Sequence, residues 1–332
     1  VEHLTGGAVH IRKKDIESLQ LKGFRDLANK IPIDRHTSFP TASGGKVFVA
    51  VAILKLIEEG HLTLTTPIKD VLTFPLHAID GDVTIRELLT HTSGVPDYFD
   101  EAVMSDYADL WKDYPNYNIR TSKDLLPLFT HKPMQYERGE RFSYNDSGFV
   151  LLGLIIEAVS GQPFDAYLDA LIFKPLNMTR TGYYELDRLP GNCANAYILE
   201  PETNTYFTNI YSVDVKGTGA GGAFTNVLDI EKFWQGLMSF KLLKKDTVNL
   251  MLQRHIDLGS IGYGLGIWLD EKDIPYFQGE DPGVTFISWC NFDASELITI
   301  TSNYGDDVFD LVSTIKNDLK HEKANQYPEA NG

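Results

Sequence analysis

Apolar and polar residues alternate along positions 7–12 and 17–23, with Lys13-Lys14-Asp15 between them. A period of two predicts a β-hairpin. From 47 to 57 the chain is apolar at nearly every position, which predicts a buried central helix ending near Gly60. Thr65-Thr66-Pro67 opens a new segment, and from there to about 200 the patterns are mostly helical or loop-like, including 122–129 and a helix over 148–159 closed by Gly161. Helices follow over 229–240 and 245–253, strands over 266–269, 284–291 and 297–302, and a last helix over 308–320. Strands at both chain ends around a central helical stretch predict an α/β (α+β) unit. Its antiparallel sheet is built from both termini, is flanked by helices and carries an inserted, mostly helical lobe. The sheet lobe is expected at about 1–65 and 205–325, the helical lobe at about 66–204 and a tail at 326–332, with the site in the crevice between lobes.

The candidate chemistry sits at the head of the apolar run, in Ser43-Gly44-Gly45-Lys46. Residues i and i+3 share a helix face, so a hydroxyl and an amine stand one turn apart. A serine is a poor nucleophile until a neighbour takes its proton, and burial that lowers the lysine pKa would suit Lys46 to that task. The alternative is a helix N-cap with a solvated lysine. The apolar helix, which leaves Lys46 little access to water, and the extended entry Phe39-Pro40-Thr41-Ala42 favour the nucleophile reading. A phosphate-binding loop is excluded, because Pro40 and Val47 occupy positions that need glycine and a hydroxyl.

Several ordered segments then resemble one family. They are Phe39-Pro40-Thr41-Ala42-Ser43-Gly44-Gly45-Lys46, Leu54-Lys55-Leu56-Ile57-Glu58-Glu59-Gly60-His61-Leu62 and Ile85-Arg86-Glu87-Leu88-Leu89-Thr90-His91-Thr92-Ser93-Gly94. Phe142-Ser143-Tyr144-Asn145-Asp146-Ser147-Gly148, Ile172-Phe173-Lys174-Pro175-Leu176-Asn177-Met178, Ala220-Gly221-Gly222-Ala223-Phe224-Thr225 and Tyr263-Gly264-Leu265-Gly266 follow in order. Together they are similar to the class C β-lactamase-like serine hydrolases, which include penicillin-binding proteins, D-Ala-D-Ala carboxypeptidases, D-amino-acid peptidases and related esterases. The resemblance spans nearly the whole chain and implies a β-lactamase/transpeptidase-like fold. It implies that Ser43 forms an acyl-enzyme while Lys46 and Tyr144 relay protons, the Tyr144 phenol being drawn toward neutrality by Lys46.

Two positions depart from the family pattern. Asp146 stands where the family has asparagine, and an anion there favours the lysine ammonium. Counting back from Pro282-Gly283, the third family element falls on Phe277-Gln278-Gly279, with phenylalanine in place of a lysine or histidine. The resemblance then implies an oxyanion hole from the backbone N–H groups of Ser43 and Glu280, and a substrate-binding surface from Asp146, Phe277, Gln278 and Gly279. With no cation at 277, neutral esters or amides are expected ahead of β-lactams and D-peptide carboxylates. The two departures also leave a second class open, a catalytically degenerate binding or sensing module on the same fold.

Composition changes the picture in three ways. Among 332 residues, 30 basic and 46 acidic ones give a formal net charge of −16, which argues against a nucleic-acid partner and for a small-molecule or peptide substrate. Cys193 and Cys290 are the two cysteines, expected as unpaired thiols, and with no His-Glu-x-x-His pattern neither metal nor cofactor is expected. The apolar run at 47–57 is too short to span a membrane, and without a leader pattern the expectation is a cytoplasmic protein, the alternative being an exported one with its leader removed. His91 is expected to be a structural hydrogen-bonder, and the glycines at 219, 221 and 222 a tight packing turn. The aromatic-rich stretch at 98–117 is expected to mix lobe core with cleft wall.

Overall fold

The computed structural model describes residues 1–14 and 16–326; Asp15 of the expected turn and 327–332 of the expected tail lie outside the described residues. Eight strands form one antiparallel sheet in the order Ile16–Lys22, Gly7–Lys13, Glu296–Ser302, Val284–Cys290, Pro275–Asp281, Trp268–Leu269, Gly262–Tyr263 and Ile256–Asp257. The N-terminal hairpin extends a C-terminal meander at its last strand, Val9 pairing with Ile300 on one side and with Gln20 of the edge strand on the other. The sheet is therefore built from both chain ends, as the patterning predicts.

The helix Lys46–Glu58 follows a 3-10 turn at Ala42–Gly45, and every residue from 46 to 54 is buried. Its all-round apolar surface is used on two sides. Phe48 meets Phe173 and Phe233 edge-on at 5.1 Å each and Phe277 of the sheet at 6.5 Å. The same helix packs on Asp146–Ser160, where Asn145 caps the first turn by accepting from Gly148 N–H at 2.7 Å and Gly161 ends the helix at φ +69°. The other sheet face is closed by Val308–Gln326, whose Val308, Leu311 and Val312 pack on Ile287, Trp289, Ile298 and Ile300.

The details differ from expectation where capping chemistry or register intervenes. The helix expected from 229 begins at Val227, because Asn226 caps it through Leu228 N–H at 3.0 Å. The strand expected from 266 starts at Trp268, since Gly266 turns through φ +74° against Ala50. Tyr197–Glu200 and Thr205–Thr208 form a hairpin of their own, a ladder that joins residues on both sides of the lobe boundary expected at 204/205. Both cysteines are free thiols. Among the described residues no single helix is long and apolar enough to cross a membrane.

Candidate active site

The 3-10 turn that carries Ser43 is held in place by its neighbours. Ala42 sits at φ +48°, in the left-handed region that a residue with a Cβ enters only under constraint. The constraint is a set of backbone bonds: Thr41 N–H to Ala223 O, Gly44 N–H to Thr41 O and Gly222 N–H to Ala42 O, each 2.9 Å. Two glycines make this crowding feasible. A Cβ at Gly279 would lie 2.2 Å from Thr41 O and 2.4 Å from Ser43 N, and one at Gly221 would lie 2.4 Å from Ala42 O. The glycines at 219, 221 and 222 thus form a tight packing turn, as expected, and it is pressed directly onto the Ser43 backbone.

Lys46 begins the central helix and is 3% exposed. Its Nζ donates to Ser43 Oγ at 2.9 Å, to Asp146 Oδ1 at 2.6 Å and to Ala220 O at 2.6 Å. An ammonium has three protons, and all three are committed. Burial alone would lower the Lys46 pKa, as the sequence suggested. Asp146 and Tyr144 outweigh burial and hold it above the ordinary lysine value. The expectation of a lysine depressed toward neutrality is therefore reversed, because Asp146 points at Lys46 rather than away.

Tyr144 lies over Lys46, with Nζ 4.9 Å from its ring centroid, and its ring is flanked by His91 at 4.4 Å and Trp268 at 5.8 Å. Burial raises the phenol pKa, and Lys46 and a hydrogen bond with Ser43 offset only part of that rise. The phenol is not drawn toward neutrality. His91 serves the scaffold: its Nδ1 accepts from Asn145 N–H at 3.0 Å, which leaves the Nε2 proton for the Tyr263 hydroxyl, also at 3.0 Å. Burial keeps His91 well below the usual histidine pKa, so it holds the Tyr144-Asn145 segment as a neutral ring.

The strand Pro275–Asp281 corrects two expectations. Side chains alternate along a strand, so 277, 279 and 281 share a face. Phe277 is 4% exposed and its ring packs on Trp234 at 5.2 Å, Phe286 at 5.6 Å and Phe233 at 5.8 Å, inside the core rather than in the cleft. It offers no surface for a substrate to stack on. Gln278 is on the opposite face, paired across the ladder with Ile287 of the cluster under the C-terminal helix, so it too is turned from Ser43. Gly279 abuts Ser43 N, and the Glu280 side chain is exposed.

A cavity opens at Ser43, and two acids of its wall, Asp214 and Asp281, were not singled out by the sequence. Asp146, Asp214 and Asp281 all line it, together with Tyr98 and Tyr107. Tyr107 donates to Asp214 Oδ1 at 2.9 Å and meets the Tyr98 hydroxyl at 3.2 Å. The aromatic stretch is thus the mixture of core and cleft wall expected, since Trp111 packs in the core while Tyr98 and Tyr107 line the cavity. Behind Asp146, the buried Asp97 carboxylate accepts from Asp146 N–H and Ser147 N–H, each at 3.1 Å, at the N-terminus of the helix they begin. Burial pushes Asp214 up to about 6 and Asp281 well above the usual carboxylate range. Away from this site, His10, Glu17 and Glu231 converge, and Arg12 pairs with both carboxylates, which makes that group an ion-pair network.

Comparison with known proteins agrees with the fold. The chain is 27% identical over 301 residues to the putative penicillin-binding protein PbpX of Bacillus subtilis, covering 90% of this chain and 70% of that protein. It spans only 50–59% of the length of other curated relatives. The crystal structure of a penicillin-binding protein from Bacillus halodurans superposes with a TM-score of 0.89 at 40% identity, over 95% of this chain and 96% of that one. A D-amino acid amidase from Ochrobactrum anthropi shares the fold, with a TM-score of 0.79 at 21% identity over 97% of each chain. The Beta-lactamase family profile matches residues 1–313. That match runs along nearly the whole length, and the chain belongs to the Beta-lactamase family.

Proposed function

We propose that this protein is a serine hydrolase that cleaves an ester or amide through an acyl-enzyme on Ser43. The observation that carries the reading is the 2.9 Å contact between Lys46 Nζ and Ser43 Oγ at the edge of a cavity. Ser43 Oγ attacks the carbonyl carbon, and its proton passes to the Lys46–Tyr144 pair, which delivers it to the leaving group. Water then attacks the acyl carbon and returns a proton to Ser43. The backbone N–H groups of Ser43 and Glu280 are assigned to the oxyanion, a role that needs no particular side chain.

In the resting state Lys46 donates to Ser43 and has no lone pair to offer, so acylation requires that Lys46 first lose a proton. That same feature favours a second reading, a fold that binds or is acylated without turnover. Intact-protein mass spectrometry with a fluorophosphonate tests the first reading. Ser43 should be labelled at one equivalent, and Ser43→Ala should abolish labelling with an unchanged melting temperature. Full labelling of Ser43→Ala would sink the nucleophile assignment. An acyl-enzyme that forms on Ser43 from a nitrophenyl ester and is never hydrolysed would establish the second reading.

A further inference from the structure

We propose that the cavity at Ser43 selects an ester or amide that carries an ammonium group beside its reacting carbonyl. This rests on the reading of Ser43 as nucleophile and adds the charge of the substrate to it. The strand that family resemblance equips with a cation carries the opposite charge here. Phe277 is lost to the core, Gly279 lies on Ser43, and the next side chain on that face is Asp281, which opens into the cavity.

Three aspartates, Asp146, Asp214 and Asp281, meet in one cavity with the candidate nucleophile, and among the described residues no lysine, arginine or histidine lines it. Lys46 beneath them supplies a single positive charge, set against Asp146 by direct contact, which leaves Asp214 and Asp281 with no cation in contact. Asp214 accepts from the neutral Tyr107 phenol and from backbone N–H. Among the described residues the Asp281 carboxyl has no hydrogen bond and no ion pair, and burial favours its neutral form, so it stands in the cavity wall without a partner and gains one when a cation arrives. The adjoining groove continues the sign, with Glu101, Asp106 and Glu280 along it and again no basic residue. Field lines focused by such a cleft attract cations and turn carboxylates away.

An ammonium entering this space favours the charged forms of Asp214 and Asp281 and gains charge-assisted hydrogen bonds to them. It also acts on catalysis. A positive charge shared among Asp214, Asp281 and Asp146 weakens the hold of Asp146 on the Lys46 ammonium, so the arriving substrate itself helps Lys46 to shed a proton and become a base. A carboxylate-bearing substrate does the reverse on both counts.

The test uses three fluorophosphonates that differ only in an alkyl tail ending in ammonium, methyl or carboxylate, with second-order inactivation rates read by mass spectrometry on the whole chain. The expected order is ammonium, methyl, carboxylate, with about tenfold between neighbours, as one nearby charge in a partly shielded site dictates. Asp281→Asn and Asp214→Asn should each cut the ammonium-to-methyl ratio about tenfold. Each is isosteric, and melting temperatures report whether it folds. Two substrate pairs then locate the charge: alanyl against isobutyryl anilide for the acyl side, and acetylthiocholine against its neutral dimethylbutyl isostere for the leaving side. Equal rates for the three tails, or a preference for carboxylate, would overturn the inference while Ser43 still labels. No labelling by any tail would instead overturn the nucleophile reading on which it rests.

Discussion

Lys46 Nζ and Asp146 Oδ1 are 2.6 Å apart, and that one contact decides the resting protonation of the site. The pair joins the first residue of one buried helix to the first residue of another, so neither side chain can swing away without moving a core element. An ammonium so held is a proton donor to Ser43. To act as a base it must be loosened.

Replacing Asp146 by asparagine removes an anion that favours the charged form of Lys46, so the Lys46 pKa falls. A larger fraction is then unprotonated at any given pH. The acidic limb of the pH profile of Ser43 acylation should move to lower pH by about one unit or more. A pH series of fluorophosphonate labelling rates measures this, and a limb that stays put or moves to higher pH would show that Asp146 does not control Lys46.

Phe277→Lys should not create a site for penicillin. The new ammonium would stand among Trp234, Phe233 and Phe286, losing the packing of a buried phenylalanine, worth about 3–5 kcal/mol, and placing a charge in the core besides. Denaturant unfolding should show a loss of at least that size or failure to fold. A stable variant with improved penicillin acylation would mean that the strand rotates position 277 into the cleft.

Gly279→Ala tests the close approach of strand and serine. Its Cβ would have to displace backbone atoms of Thr41 and Ser43 that lie within 2.4 Å. Acylation should fall by about a hundredfold, as misplacement by one ångström does, with the melting temperature also lowered. Wild-type labelling in this variant would remove the strand from the oxyanion site.

The pH response of cation selection follows from Asp214. Burial raises its pKa from 3.8 to about 6, so it is neutral below that pH and anionic above it. The groups that act on it are the Tyr107 hydroxyl, Asp146 and Lys46, and Asp281 stands in the same cavity wall. The advantage of an ammonium-tailed probe over its methyl isostere should therefore grow as pH rises through about 6. A bound ammonium favours the carboxylate, so in the complex the transition should sit lower. Asp214→Asn should flatten the rise, which a pH series of labelling-rate ratios will show.

His91→Ala would leave the buried Tyr263 hydroxyl and Asn145 N–H without their partner, at about 1–3 kcal/mol for each unsatisfied group. Thermal unfolding should register that loss. A change in labelling rate with no change in stability would instead give His91 a part in the chemistry.

Local spacing settled much of this protein. Ser43 and Lys46 are three residues apart, and one helical turn brings them together whatever the rest of the chain does. The apolar run behind them could only be a buried helix, and period-two segments at both ends could only be covered strands of a shared sheet. The glycines that permit close backbone approach were legible in the same way, because a missing Cβ has the same meaning before and after folding.

Tertiary structure alone decided the electrostatics. Whether burial or Asp146 governs Lys46 depends on a 2.6 Å distance between residues a hundred positions apart, and no spacing rule contains it. Phe277 carried the right motif position and the wrong surroundings, since packing against Phe48, Phe233 and Trp234 determines which atoms of a strand face water. Asp214 and Asp281 gave no signal in sequence because each is an ordinary acid in an ordinary segment. They matter only once a loop and a strand set them in one cavity with Ser43, since charges act through space and in proportion to the water that folding has removed.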